Sequence, residues 1–217
     1  MTSGSASLRA GIEAAGVGNA YAIGGRGTES LAIQWILNHL KPGSGQALVV
    51  VPDGLLNQTA VLRFIESNTL VRAIVALPSR TFYSTPKKTY ILCLERKADQ
   101  GVVQTEPVFT YLISEIGESR DTRRIKIDQN DLSDMQEEFG YFSSNRQKYA
   151  SSDPRCKIVP YLQLADKTNW LIDRYWTPDE KVALGIVDEV VEVDAESLKK
   201  MVSEAQASLT ALLGELE

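Results

Sequence analysis

The chain has 217 residues, 43% apolar and 24% charged, enough for one solid core plus an appendage and too apolar for a largely disordered chain. Its longest apolar runs are about six residues, far below the ~20 that span a bilayer, and MTSGSASLRAG pairs no basic segment with an apolar one, so neither a membrane span nor a signal peptide is expected. The formal net charge of −5 is uneven: residues 178–217 hold 10 of the 28 acidic and 3 of the 23 basic side chains, so the body could meet a polyanion that the tail would repel.

Residues 1–27 hold Gly11, Gly16, Gly18, Gly24, Gly25 and Gly27 without a period and read as a loop or frayed terminus. A glycine-rich run cradles phosphate only between a strand and a helix, and no strand precedes this one. Thr28 suits an N-cap, and Leu31, Ile33, Ile36, Leu37 and Leu40 recur at helical spacing until Lys41-Pro42-Gly43 stops the helix. ALVVV (47–51) is a continuous apolar run of the kind covered on both faces of a sheet, closed by Pro52-Asp53-Gly54. A second helix starts at Asn57 or Thr59, and VRAIVALP (71–78) and TYILCLE (89–95) are further strands. The alternation predicts an α/β fold with a mainly parallel sheet. The helix-free connection from Pro78 to Thr89 predicts that the third strand runs antiparallel to the second.

Further on, PVFTYLIS (107–114) and RRIKID (123–128) read as short strands around an ESRDTR turn. Asn130 or Asp131 caps a short helix carrying Leu132, Met135 and Phe139, and residues 143–155 are turn-like. NWLIDRYWTPDE (169–180) is dense in aromatics. Near the end, Leu198, Val202, Ala205, Leu209, Leu212 and Leu216 follow steps of four and three, an a/d seam. Such a helix either packs on its own domain or pairs with a partner. Two cysteines, Cys93 and Cys156, make no disulfide framework, and with the single His39 they lack any close Cys-x-x-Cys spacing. No metal site is expected, and a reducing, cytoplasmic setting is.

Several of these stretches, in this order and spacing, resemble a known family. They are ESLAIQWILNHLKPG (29–43), HLKPGSGQALVVVPDGLL (39–56), Arg63, VRAIVALPSRTFYSTPKKTYILCLERK (71–97), ISEIGESRDTRRIKIDQNDLSDM (113–135) and NWLIDRYWTPDE. Together they are similar to the second half of the catalytic domain of the N6-adenine DNA methyltransferases, above all the methylation (M) subunit of type I restriction–modification systems. The resemblance implies a partial methyltransferase-type, Rossmann-like α/β sheet, mainly parallel with an antiparallel strand, over residues 28–150. A flexible segment 1–27 precedes it and a helical extension 151–217 follows, with Leu198, Val202, Leu209, Leu212 and Leu216 as subunit-contact positions.

The family binds S-adenosylmethionine through D-P-x-x-G-x-G and holds the target amine with Asn/Asp-Pro-Pro-Tyr/Phe. Neither motif occurs in these 217 residues; the one Asp-Pro is Asp153-Pro154, followed by Arg155. The resemblance therefore implies the target-base and DNA side of an adenine methyltransferase, with no catalytic residue of its own, inactive alone and not binding the cofactor alone. The alternative is a non-enzymatic DNA- or subunit-binding module derived from such an enzyme. Phe82, with Tyr83 beside it, aligns with the family's aromatic that lies against a flipped adenine, and is otherwise a core anchor of its loop. Arg80, Lys87, Lys88, Arg96, Lys97, Arg123 and Arg124 are candidate phosphate contacts, with Arg120 and Lys126 in the second basic patch, or solvated charges. Asp53, the nearest acidic candidate, reads first as a turn former. In the family's strand order a strand absent here lies beside 47–51, so the free edge predicts a homodimer or a heteromer with a specificity subunit or complementing methyltransferase half.

Overall fold

The computed structural model describes residues 27–186 together with 10, 11, 14, 21 and 23. The tail positions Leu198, Val202, Leu209, Leu212 and Leu216, and most of the segment 1–27, lie outside the described residues. The elements in chain order are α1 (Thr28–His39), β1 (Gln46–Pro52), α2 (Thr59–Asn68), β2 (Thr69–Ala76) and β3 (Thr89–Arg96). Then come β4 (Val108–Leu112), β5 (Ile116–Glu118), β6 (Lys126–Asn130), α3 (Asp131–Ser144), β7 (Cys156–Val159), α4 (Tyr161–Ala165), a 3-10 turn (Ile172–Tyr175) and α5 (Pro178–Ala183). Among the described residues no helix is long and apolar enough to cross a membrane.

The α/β class holds, and the sheet is mixed, with one of its four neighbouring pairs parallel. Its order is β1-β3-β2-β4-β7. As the helix-free connection predicts, β3 turns back on β2; it slots between β1 and β2, antiparallel to both. β4 lies parallel to β2, and β7 closes the sheet antiparallel to β4. β1, β2 and β4 thus point one way while β3 and β7 point the other. The antiparallel pairs outnumber the parallel one because a returning strand needs no crossover helix and can take the slot beside its predecessor.

The second strand pair is also corrected. PVFTYLIS does not face RRIKID across the ESRDTR turn. β4 is buried along its whole length and enters the main sheet, while β5 and β6 make a separate two-stranded hairpin. The apolar Val108–Leu112 segment is buried more fully between two layers than a hairpin could manage. The division expected after residue 150 falls between β4 and β7, which it pairs with.

Each sheet face has its own core. On one, Ile33 and Leu37 of α1 and Val61, Leu62 and Ile65 of α2 meet Ile74, Leu92 and Leu94. The aromatic run adds Trp170 and Trp176 to this face, with the Trp176 indole N–H donating to Pro154 O at 2.8 Å. On the other, Phe139 and Phe142 of α3 pack around Phe109, edge-on and tilted, with Val75 and Tyr111. The cap of α3 is Asn130, whose side chain accepts from Leu132 N at 3.1 Å. α5 opens with a capping box: Glu180 N donates to Thr177 Oγ1 at 3.2 Å and Thr177 N to Glu180 Oε2 at 2.6 Å.

β2 carries a bulge between Val71 and Ala73, at the position of the buried Arg72. Its guanidinium pairs with Glu95 at 2.9 Å and with Glu106, so the buried charge is neutralised. Gln104 stands in as a strand partner at the bulge, accepting from Val71 N and donating to Val71 O, both at 2.8 Å.

Candidate nucleic-acid interface

Because β1, β2 and β4 point the same way, their carboxyl ends share one edge of the sheet. In open α/β sheets this edge is where ligands bind. Three segments emerge there: the turn after β1, the loop 77–88 between β2 and β3, and the 113–115 segment leading into the β5–β6 hairpin.

The loop 77–88 is tied down by its own backbone. Leu77 N donates to Thr89 O at 2.9 Å, Arg80 N to Pro86 O at 3.2 Å and Thr85 N to Phe82 O at 3.2 Å. Thr81 Oγ1 donates to Pro78 O at 2.6 Å. These bonds leave two aromatics outward: Phe82 is 40% and Tyr83 80% exposed. Neither ring is spent on the core, so Phe82 is not the core anchor of its loop. Arg80 adopts φ 61° and Arg124 φ 51°, left-handed backbone that costs an arginine roughly 1–2 kcal/mol.

The hairpin reaches this loop through two arginines. Arg124 Nη2 donates to Arg80 O at 2.8 Å and its Nη1 to Thr81 O at 3.0 Å. Arg120 Nη1 lies 3.4 Å from Ser79 O. Both also face hairpin carboxylates, Glu118 at 3.3 Å from Arg124 and Glu115 at 3.4 Å from Arg120.

The other basic candidates divide by end. Lys88 sits at the site edge but is paired with Asp173 of the 3-10 turn, which also accepts from Tyr90 OH at 2.6 Å. Its carbonyl accepts from Asp53 N at 3.3 Å, joining the loop to the β1 turn. Lys87 and Arg123 are exposed and have no side-chain partner among the described residues, and Arg80 is exposed on the loop. Arg96 and Lys97 lie at the opposite end, because β3 runs backward. Arg96 donates to Asn68 Oδ1 at 2.6 Å and Lys97 Nζ to Glu66 O at 2.7 Å. Burial lowers the Lys97 pKa. The structure thus gathers Arg80, Phe82, Tyr83, Lys87, Lys88, Arg123 and Arg124, and separates Arg96 and Lys97 from them.

Asp53 forms a turn: its Oδ1 accepts from Gly54 N at 2.7 Å while Leu55 N donates to Pro52 O at 3.0 Å. A more structured carboxylate is Asp131, which sequence reasoning reached only as a helix cap. It accepts from Ser114 N at 2.8 Å, Ser114 Oγ at 2.7 Å and Glu115 N at 3.0 Å, with Arg155 Nε 3.3 Å away. Burial opposes its charge, but these hydrogen bonds and Arg155 hold its pKa below the ordinary carboxylate range. Asp131 thereby anchors the root of the hairpin to the start of α3. Asp173 was also missed, since nothing local marks it as a partner of Lys88.

No group of three or more His, Cys, Asp or Glu residues that could hold a metal occurs among the described residues. Burial pushes the Cys156 thiol up to about 12 and raises Cys93, so neither is a ready thiolate.

The model of the N-6 DNA methylase family matches residues 26–178. No curated protein sequence matches the chain. Among solved structures, a chain described in work on complex assembly and conformational transition of the type I R-M system is 20% identical, with TM-score 0.61, covering 91% of this chain and 42% of its own length. The M protein of the type I restriction enzyme EcoKI is 19% identical, with TM-score 0.52, and is covered over 44% of its length by 88% of this chain. A modification subunit of a putative type I restriction enzyme from Vibrio vulnificus is 21% identical, with TM-score 0.47, over 63% of this chain and 28% of its own. The chain spans less than half the length of these solved chains, and with the first two, at such identity, the likeness is one of fold.

Proposed function

The chain belongs to the N-6 DNA methylase family, and from that premise we propose that it is the target-base and DNA side of a type I adenine-N6 methyltransferase. One observation carries the reading: Phe82 and Tyr83 are presented outward at the carboxyl edge of the sheet, on a loop held in place, with cationic side chains beside them. An enzyme that works on a duplex base must take it out of the stack and set it against an apolar face. Phe82 offers that face, and Tyr83 lies next to it. Lys87, Arg123 and Arg80 are the phosphate contacts of this reading, fixing register without reading sequence.

S-adenosylmethionine is the methyl donor that the family implies. The described residues do not fit it. Asp153 of the lone Asp-Pro accepts from Tyr111 OH at 2.5 Å and Arg155 N at 2.8 Å, and is spent on the fold. Methyl transfer needs donor and amine in line at near-attack distance. In this reading a complementing polypeptide supplies both the donor site and the group that holds the amine, and this chain is inactive alone.

The site for that polypeptide is the free edge of β1. Its outer side pairs with no strand among the described residues, and Leu48 and Val50 are 73% and 47% exposed on the face that α3 leaves open. An apolar edge strand of seven residues is a template for pairing.

The test is a duplex bearing 2-aminopurine at an adenine position, titrated with the chain and followed by anisotropy and emission. Salt-dependent binding with an emission rise that Phe82→Ala abolishes supports the proposal. Binding without an emission change supports a DNA-binding module instead. Absence of binding at low salt overturns both.

A further inference from the structure

We infer that Arg124, seconded by Arg120, is a positioning residue that latches the aromatic loop from the β5–β6 hairpin, so that its guanidinium serves the loop backbone and not a DNA phosphate. The inference rests on the proposed function for what the loop does, but not for the latch itself.

The geometry is specific to a guanidinium. Two different nitrogens of Arg124 donate to two successive carbonyls, Arg80 O at 2.8 Å and Thr81 O at 3.0 Å. A planar fork does this; a lysine ammonium is a point donor on a flexible stem. Arg120 approaches the carbonyl before them, Ser79 O, at 3.4 Å. Three consecutive carbonyls of the loop are thus met from one side. They directly precede the exposed Phe82 and Tyr83. The left-handed backbone at Arg80 turns its carbonyl toward the hairpin, and an arginine stays in that region only where the surroundings over-determine it.

The hairpin in turn has a fixed root. Asp131 accepts from the main chain of Ser114 and Glu115, just before β5, and Asp131 N donates to Glu115 O at 2.9 Å. The line of support runs from α3 through Asp131 to the hairpin, through Arg124 to the loop, and so to the two rings. It links segments 43 and 44 residues apart in sequence.

The test is amide hydrogen exchange on the full chain and on Arg124→Ala, Arg124→Lys and Arg120→Ala. The reporters are the hydrogen-bonded amides of Arg80 and Thr85 in the loop, with Ile74 and Leu92 as sheet controls. Arg124→Ala is expected to speed loop exchange roughly tenfold with the sheet controls unchanged, as loss of hydrogen bonds local to the loop requires. Arg124→Lys is expected to fall between, because the charge remains but the fork is gone. Loop exchange in Arg124→Ala equal to that of the parent chain overturns the latch. The 2-aminopurine duplex separates the two proposals. Faster loop exchange together with a diminished emission rise supports latch and base site together. Faster exchange with no emission change even in the parent chain supports the latch and sinks the base site alone.

Discussion

The ammonium of Lys88 is paired with the carboxylate of Asp173, 85 residues further along the chain, in a contact that is mostly shielded from water. It joins the end of the aromatic loop to the 3-10 turn, and the Tyr90 hydroxyl shares the same carboxylate. A charge so engaged is a structural staple before it is a DNA contact.

Asp173→Asn should therefore cost about 1–3 kcal/mol of folding stability, since it strips the counter-charge and weakens two hydrogen bonds. Urea denaturation reads this. A double-mutant cycle with Lys88→Met should return a coupling of about 0.5–3 kcal/mol; a coupling of zero would show the pair to be idle.

Salt dependence of DNA binding distinguishes the cations. Lys87→Ala and Arg123→Ala should each reduce the slope of log K against log salt by about one, the signature of one lost phosphate contact. Lys88→Ala, Arg96→Ala and Lys97→Ala should leave the slope unchanged, because these groups serve Asp173, Asn68 and Glu66. Equal slope changes across all five would mean that the folded partners are given up on binding.

Phe82→Ala and Tyr83→Ala should leave the melting temperature within a few degrees of the parent, as neither ring is buried. Phe82→Ala should weaken duplex binding by about 1–3 kcal/mol, the worth of one base stacked on an aromatic. A large loss of stability in either variant would contradict the outward orientation.

Asp131 gives a pH signature. Its folded pKa lies below the unfolded value of about 3.9, so its contribution to stability is present above that value and is lost as pH falls through the folded pKa. Asp131→Asn should be less stable at neutral pH and show a shallower acid limb when urea midpoints are followed from pH 6 to pH 2. An acid limb as steep as the parent's would assign the pH dependence to other carboxylates.

The β1 edge predicts association. Light scattering at micromolar concentration should find the chain larger than a monomer, or made so by its complementing polypeptide. Leu48→Lys and Val50→Lys should abolish this with no loss of fold, since both side chains face outward. A monodisperse monomer that no complementing chain captures would refute the edge as a docking site.

Much of the fold is legible residue by residue. ALVVV marks β1, TYILCLE marks β3 and Asn130 caps α3, because periodicity and capping act over a turn or a strand length. The four residues of β7 carry too short a pattern to stand out from a polar stretch. The antiparallel return of β3 is also legible, from a connection without a helix. Its insertion between β1 and β2 is not, nor is the destination of β4, because strand order depends on which faces are buried together.

The site divides in the same way. The family resemblance points to Phe82, with Tyr83 beside it, and the basic residues of the same loop stand next to them in the sequence. Which cations remain available is a tertiary matter. Arg124 reaches across 44 residues to Arg80, Lys88 is met by Asp173 and Arg96 by Asn68. The sequence by itself determines most of the elements, the turn chemistry and the family, because these rest on short-range steric and hydrophobic patterns. Only the tertiary structure decides the insertion of β3, the destination of β4 and the roles of the arginines, because these depend on partners that burial of two sheet faces brings together from distant parts of the chain.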